Sequence, residues 1–245
     1  MSDRPVLYIG NYNYSSWSLR AWLALRFMGI EFDVVRIPLD TPEFPAQVRA
    51  ISAAARVPVL RDGDLTVWDS LAICEYAAER AAVPGWPADR ALRTHARCAV
   101  AEMHSGLTAL RAAMPMNIRA RRVVVADDAV ARDIERLQGL WCEALTLHDG
   151  GRGWLYGERG IADAFFAPVL LRLRTYGVPV PELCRPWMAQ LLEDPHMVEW
   201  CDAAMAESEV VVADEAGVPV DGDPVDGDPV EGDPVDGDPV EGDPD

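Results

Sequence analysis

Strand-forming runs in this 245-residue chain are confined to residues 4–68, and that asymmetry limits its possible folds more than any other feature. RPVLYIG (4–10) is a short apolar run ending in glycine, the pattern of a buried strand. From Ser18, Leu19, Trp22, Leu23 and Phe27 recur at helical spacing, and Gly29 is placed to stop that helix. FDVVRIPL (32–39) reads as a second strand and TPEFPAQVRAIS (41–52) as a short helix opened by Pro42. In VPVLRDGDLTVW (57–68), two strand-like runs flank Asp62-Gly63, a hairpin signal. DSLAICEYAAERA (69–81) then reads as a helix with an acid and a hydroxyl at its start. The order βαβ, hairpin, helix predicts a small α/β sheet with helices on its faces. After the Pro/Gly-rich linker AVPGWPA (82–88) strand signals nearly vanish, and helical patterns fill 89–113, 127–148, 161–175, 181–192 and 195–207. VVVA (123–126) is assigned to a helix start or a loop. The expected organisation is an α/β domain over 1–81, an all-α domain over 89–209 and a tail over 210–245.

The tail has its own logic. GVPVDGDPVDGDPVEGDPVDGDPVEGDPD repeats with a period of five, and a proline in each unit forbids a helix. One valine per unit cannot offset the entropy of ordering, so 210–245 is expected to be disordered, an acidic solubilising tail. Asp-Gly-Asp recurs there, but the spacing is not that of a calcium loop. The tail also accounts for much of the net charge of −18. Without the eleven acids of 217–245, the rest carries 29 acids against 22 bases, or −7, which argues against nucleic acid as a partner. Five scattered cysteines without CxxC spacing fit a reducing compartment. No signal peptide and no long apolar run is visible, so a soluble, cytoplasmic protein without a membrane partner is expected. The four histidines show no metal-ligand spacing, and no metal is expected.

Three stretches carry the chemistry. NYNYSSWSLRAWLAL (11–25) puts Ser15, Ser16 and Ser18 around Trp17 where strand gives way to helix. A helix N-terminus favours anions and lowers a thiol's pKa, and a serine hydroxyl there can donate to a thiolate; equally, each serine can simply cap the helix. RVPVL (56–60) places Pro58 where a central strand is expected, a conflict that a cis Val57–Pro58 bond resolves, leaving Val57 backbone groups to pair with an extended peptide. WDS (68–70) opens the next helix with Asp69, suited to an ammonium group, and with backbone N–H groups at Ser70 suited to a carboxylate; it too can be only a cap. Together these describe a site for a small peptide bearing a thiol, carboxylates and an amine.

Those motifs resemble the glutathione S-transferase superfamily. Residues 5–80 resemble its thioredoxin-like N-terminal domain and 89–207 its helical C-terminal domain. SSWSLRAWLAL is similar to the serine motif of the zeta class and related bacterial members, and YGERGIADAFFAPVLLRL (156–173) resembles the capping-box helix of the second domain. The resemblance implies a transferase with a detoxification role that activates glutathione for attack on a small electrophilic substrate, in a homodimer. It implies Ser15 as the hydroxyl that stabilises the thiolate, with Ser16, four residues before Arg20, as the alternative. Trp17 shields the site, Val57 bonds the cysteinyl backbone, Pro58 sets the turn, Asp69 and Ser70 take the γ-glutamyl end, and Arg56 reaches the glycyl carboxylate. The electrophile is expected between the domains, against Met114, Met116, Asn117 and Arg119. Alternatives are a cis-trans isomerase of the maleylacetoacetate isomerase type and a non-catalytic binding protein of the same fold. The chain departs from the zeta pattern at Trp17, which stands where that class carries cysteine, and at Gly160, where the capping box starts with serine or threonine. The zeta arginine for a dicarboxylate falls near Thr175, one residue from Arg174.

Overall fold

The computed structural model describes residues 4–148 and 153–220. In the first domain β1 (Val6–Ile9), α1 (Ser16–Phe27), β2 (Asp33–Arg36), α2 (Phe44–Ile51), β3 (Val59–Asp62), β4 (Leu65–Trp68) and α3 (Ser70–Arg80) follow in order. The sheet order is β2-β1-β3-β4, with β1 and β2 parallel and the other two pairings antiparallel. This is the expected thioredoxin-like arrangement. The β3–β4 hairpin turns at Gly63, whose φ of +58° is one that glycine adopts freely. α2 starts at Phe44 with Pro45 in its first turn, later than the start expected at Pro42. The reason is local: Thr41 Oγ1 accepts the Phe44 N–H at 3.2 Å and delays the helix.

The remainder is helical: α4 (Arg90–Ser105), α5 (Thr108–Ala113), α6 (Asp128–Leu147), α7 (Ile161–Thr175), α8 (Arg185–Leu192) and α9 (Pro195–Met205). The single pattern over 89–113 is two helices, broken at Gly106 and at Leu107, which has φ +53°. α1 is buried on nearly every side, from Leu19 through Leu25, because α3, α7 and α9 pack around it. A helix apolar all round fits only such an interior position. One apolar core therefore runs through both domains, and α1 and α7, which both end at the site, are its axis. Asp163 fastens this axis. Its carboxylate accepts the N–H groups of Gly160 and Leu155 at 3.0 Å and Trp187 Nε1–H at 2.8 Å. Gly160 offers no side chain in return, so half of the reciprocal cap is present, as its sequence implies. No helix among the described residues is long and apolar enough to cross a membrane.

Two expectations are corrected. Val123 is neither a helix start nor plain loop: β5 (Arg122–Val123) pairs antiparallel with β6 (Val218–Pro219). The partner lies about a hundred residues away, so no local pattern in VVVA announces it. For the same reason 210–220 is not disordered. Glu207, Glu209 and Glu215 bond back to the body through Arg36, Arg119 and Arg122, and Val211 is buried. The repeat proper, 221–245, lies outside the described residues.

Candidate functional site

A cavity of about 890 Å³ opens between the two domains. Its walls come from the turn into α1 (Tyr14, Ser15, Ser16, Trp17), from Ala54 to Pro58 ahead of β3, and from Trp68, Asp69 and Ser70 at the start of α3. Arg111, Pro115, Met116, Arg172 and Asp214 close it from the helical side. All eight residues expected to activate or hold glutathione line this one space.

Ser15 is the N-cap of α1, but its side chain makes no capping bond to the helix. Its Oγ lies 2.7 Å from Ser18 Oγ, which in turn accepts the Gly10 N–H at 3.1 Å. With Ser18 donating to Ser15, the Ser15 O–H is free to point into the cavity. Ser16 is used differently: its Oγ accepts from Arg172 Nη2 at 2.9 Å. Tyr14 also reaches the cavity, yet its hydroxyl donates to Glu215 at 2.6 Å and accepts from Arg119, and burial with that carboxylate pushes its pKa up to about 12. The phenol is thereby committed, which leaves the serines as the available hydroxyls.

The Val57–Pro58 bond is cis. Val57 precedes β3 and stays outside the ladder, so the sheet does not use its backbone groups. Asp69 caps α3, accepting the Leu71 N–H at 2.8 Å and the Ala72 N–H at 3.3 Å, in a backbone with φ +74°. Such a conformation in a non-glycine residue is uncommon and clusters at binding sites. Burial works to raise the Asp69 pKa, but the hydrogen bond and charge of His104, 3.2 Å away, and the two N–H groups hold it below the usual carboxylate range. Next to it Ser70 is fully buried, and its Oγ has no hydrogen-bond partner among the described residues. An anchored carboxylate beside a vacant hydroxyl can receive an amine and a carboxylate side by side.

The electrophile half is less as expected. Met116 lines the cavity, but Met114, Asn117 and Arg119 do not. Met114 is buried in the core and offers its carbonyl to Arg172 at 2.6 Å. Asn117 is fully buried between Asn13 and Glu215. Arg119 clamps the C-terminal segment through the carbonyls of Glu207 and Glu209. The polar groups of 112–122 thus hold the walls together instead of facing a ligand. In their place stand Arg111, Arg172 and Asp214, which sequence reasoning missed. Arg172 is two residues before the Arg174 considered and differs from it only in helical phase; Asp214 fell in the presumed tail. Arg20 and Arg111 both lie over the Trp17 ring, at 4.2 and 4.5 Å. Arg56, Arg111 and Arg172 against Asp69 and Asp214 leave the lining with an excess of positive charge. Burial and the nearby Arg111 lower the Arg172 pKa to about 10, so it remains a cation at neutral pH.

Comparison with known proteins bears on this geometry. Residues 14–80 match the glutathione S-transferase N-terminal domain family. A probable maleylacetoacetate isomerase of Caenorhabditis elegans is 26% identical over 190 residues, covering 75% of this chain and 87% of that protein. Maleylacetoacetate isomerase of Rattus norvegicus is 34% identical over 86 residues, 34% of this chain and 39% of that one. The crystal structure of a glutathione transferase homologue from Burkholderia gl BGR1, with bound glutathione, superposes with a TM-score of 0.64 at 26% identity, covering 83% of this chain and 100% of that one. Residues 14–80 thus match the N-terminal domain of that family, and the described chain shares the fold of the glutathione transferase homologue.

Proposed function

We propose that this protein binds glutathione in the inter-domain cavity, holds it as a thiolate at the N-terminus of α1 and delivers it to a small electrophile. One observation carries the reading: three separate stretches of the chain converge on one cavity, with a serine hydroxyl at a helix start, unused backbone at Val57, and the Asp69–Ser70 pair. Ser15 donates to the thiolate. This is supported by its freedom from capping and by Ser18 Oγ standing 2.7 Å behind it, where it can donate to Ser15. Arg56 takes the glycyl carboxylate, and Asp69 with Ser70 the γ-glutamyl end. The helix dipole and the cationic lining both lower the thiol pKa, and positioning supplies the rest. Attack forms a carbon–sulfur bond and expels a leaving group or adds across a double bond.

The names of the relatives support a second reading, reversible thiolate addition that isomerises a cis double bond. Trp17 occupies the position of the zeta cysteine, so conjugation is favoured. We further place the enzyme in the cytoplasm, as a homodimer with a detoxification role; Leu65 and Trp68, each 56% exposed on or beside the edge strand β4, support a partner there. The test is retention on immobilised glutathione together with conjugation of 1-chloro-2,4-dinitrobenzene. Ser15→Ala is expected to abolish conjugation and keep retention. Loss of conjugation in Ser16→Ala but not in Ser15→Ala would transfer the role to Ser16, and failure of the native protein to be retained would end the reading.

A further inference from the structure

Among the described residues, Asp214 is the one acid that the C-terminal segment contributes to the cavity wall. It is held there from both sides. Before it, buried Val211 accepts the Asp214 N–H at 2.9 Å. After it, the Glu215 carboxylate takes Tyr14, Asn117 and Arg122. The Asp214 carboxylate itself takes no hydrogen bond and no ion pair among the described residues; only burial and distant charges act on it. A half-buried carboxylate at the cavity wall that no described residue occupies is open to a donor that arrives with a ligand.

Arg172 is its counterpart. Arg172 is 6% exposed and is bonded to the Met114 and Arg111 carbonyls and to Ser16 Oγ, with no carboxylate partner among the described residues. Arg172 and Asp214 line the same cavity and feel each other's charge, yet they do not pair. Each is the counter-charge the other lacks, and both line the cavity that Ser15 and Ser16 also line.

Resting on the glutathione reading above, we propose that Asp214 is a specificity-determining residue of the electrophile half. It accepts a hydrogen-bond donor, an amine or a hydroxyl, on the second substrate while Arg172 binds an acceptor on the same molecule. The substrate class is then a bifunctional, polar electrophile in place of a purely apolar one. Burial holds part of the Asp214 population protonated, with its pKa pushed up to about 6. The charges around it are Arg172 and Tyr176 from α7, Glu215 from its own segment and Asp40 from the loop after β2. The preference for a donor should therefore be full at pH 8 and weaken at pH 5.

Three glutathione thioethers test this by calorimetry without turnover: S-butylglutathione as reference, S-(3-aminopropyl)glutathione and S-(3-carboxypropyl)glutathione. At pH 8, Asp214→Asn is expected to weaken the aminopropyl conjugate about tenfold relative to the butyl one and to tighten the carboxypropyl conjugate about threefold. Native protein moved to pH 5 should shift both ratios the same way. Melting temperatures confirm that the variant is folded, as expected for a side chain without a bond in the fold. If both ratios agree within twofold between native protein and Asp214→Asn, the role of Asp214 is overturned. If the native protein binds none of the three, the glutathione reading itself fails and this one falls with it.

Discussion

Replacing Glu207 by alanine would remove the carboxylate that ties the end of α9 to the loop ahead of the serines. One oxygen accepts the Tyr12 N–H and the other the Asn13 N–H, both at 2.9 Å, and Arg36 adds an ion pair at 3.1 Å. Asn13 is fully buried and the Glu207 side chain is only 6% exposed, so water replaces little of what is lost. An unsatisfied buried donor costs about 1–3 kcal/mol, and the half-exposed Tyr12 N–H sits at the low end of that range. The partly exposed ion pair adds less than about 1 kcal/mol. The expected loss is about 2–4 kcal/mol. For a protein of this size that lowers the melting temperature by roughly 5–12 °C. Glu207→Gln keeps one acceptor but turns an amide N–H₂ toward the second donor, so it should recover less than half of the loss. Because Ser15 N–H bonds Asn11 at the other end of this loop, conjugation should fall more than glutathione binding does. Thermal melts and conjugation rates of both variants check this. A Glu207→Ala melting temperature within 1 °C of the native one would refute the reasoning.

Two more predictions follow from buried acids and the chain end. Asp163→Ala leaves three donors without an acceptor and should destabilise by about 3–6 kcal/mol in urea unfolding. Burial pushes the Asp163 pKa up to about 6, so the fold binds its proton more tightly than the unfolded chain does. Its contribution to stability is therefore present below about pH 4 and lost as pH rises through 6. Subtracting the pH profile of Asp163→Asn from the native one should leave that downward slope. Removing 221–245 should leave melting and conjugation unchanged. Removing 210–245 should reduce both, since it takes away Asp214 and the Glu215 contacts to Tyr14, Asn117 and Arg122.

The sequence revealed most where local chemistry fixes the outcome. Asp62-Gly63 fixed the hairpin, Gly29 the end of α1, and Pro58 in a strand the cis bond that turns the chain at the cavity. The serine turn and Asp69 were legible because helix starts leave a signature in the first few residues. What escaped depends on distant partners. Val123 pairs with Val218, Asn117 donates to the Glu215 carboxylate and Arg119 to the Glu207 and Glu209 carbonyls, partners almost a hundred residues later. Nothing in MPMNIRARR distinguishes a residue that lines a pocket from one that clamps a strap. Asp214 was hidden by its nearness to the repeat, whose composition differs sharply from the short stretch that precedes it.

On the proposed function, Ser15 lowers the pKa of the glutathione thiol bound in this cavity. The direct measurement is the ultraviolet thiolate absorbance of the glutathione complex as a function of pH, in native protein and in Ser15→Ala. A free cysteine thiol titrates near pH 8.5. The account predicts a bound thiol pKa about two units lower in the native protein, and a return to above about 8 in Ser15→Ala with glutathione still bound. A native titration near 8.5, or a lowered pKa that survives in Ser15→Ala, would contradict it.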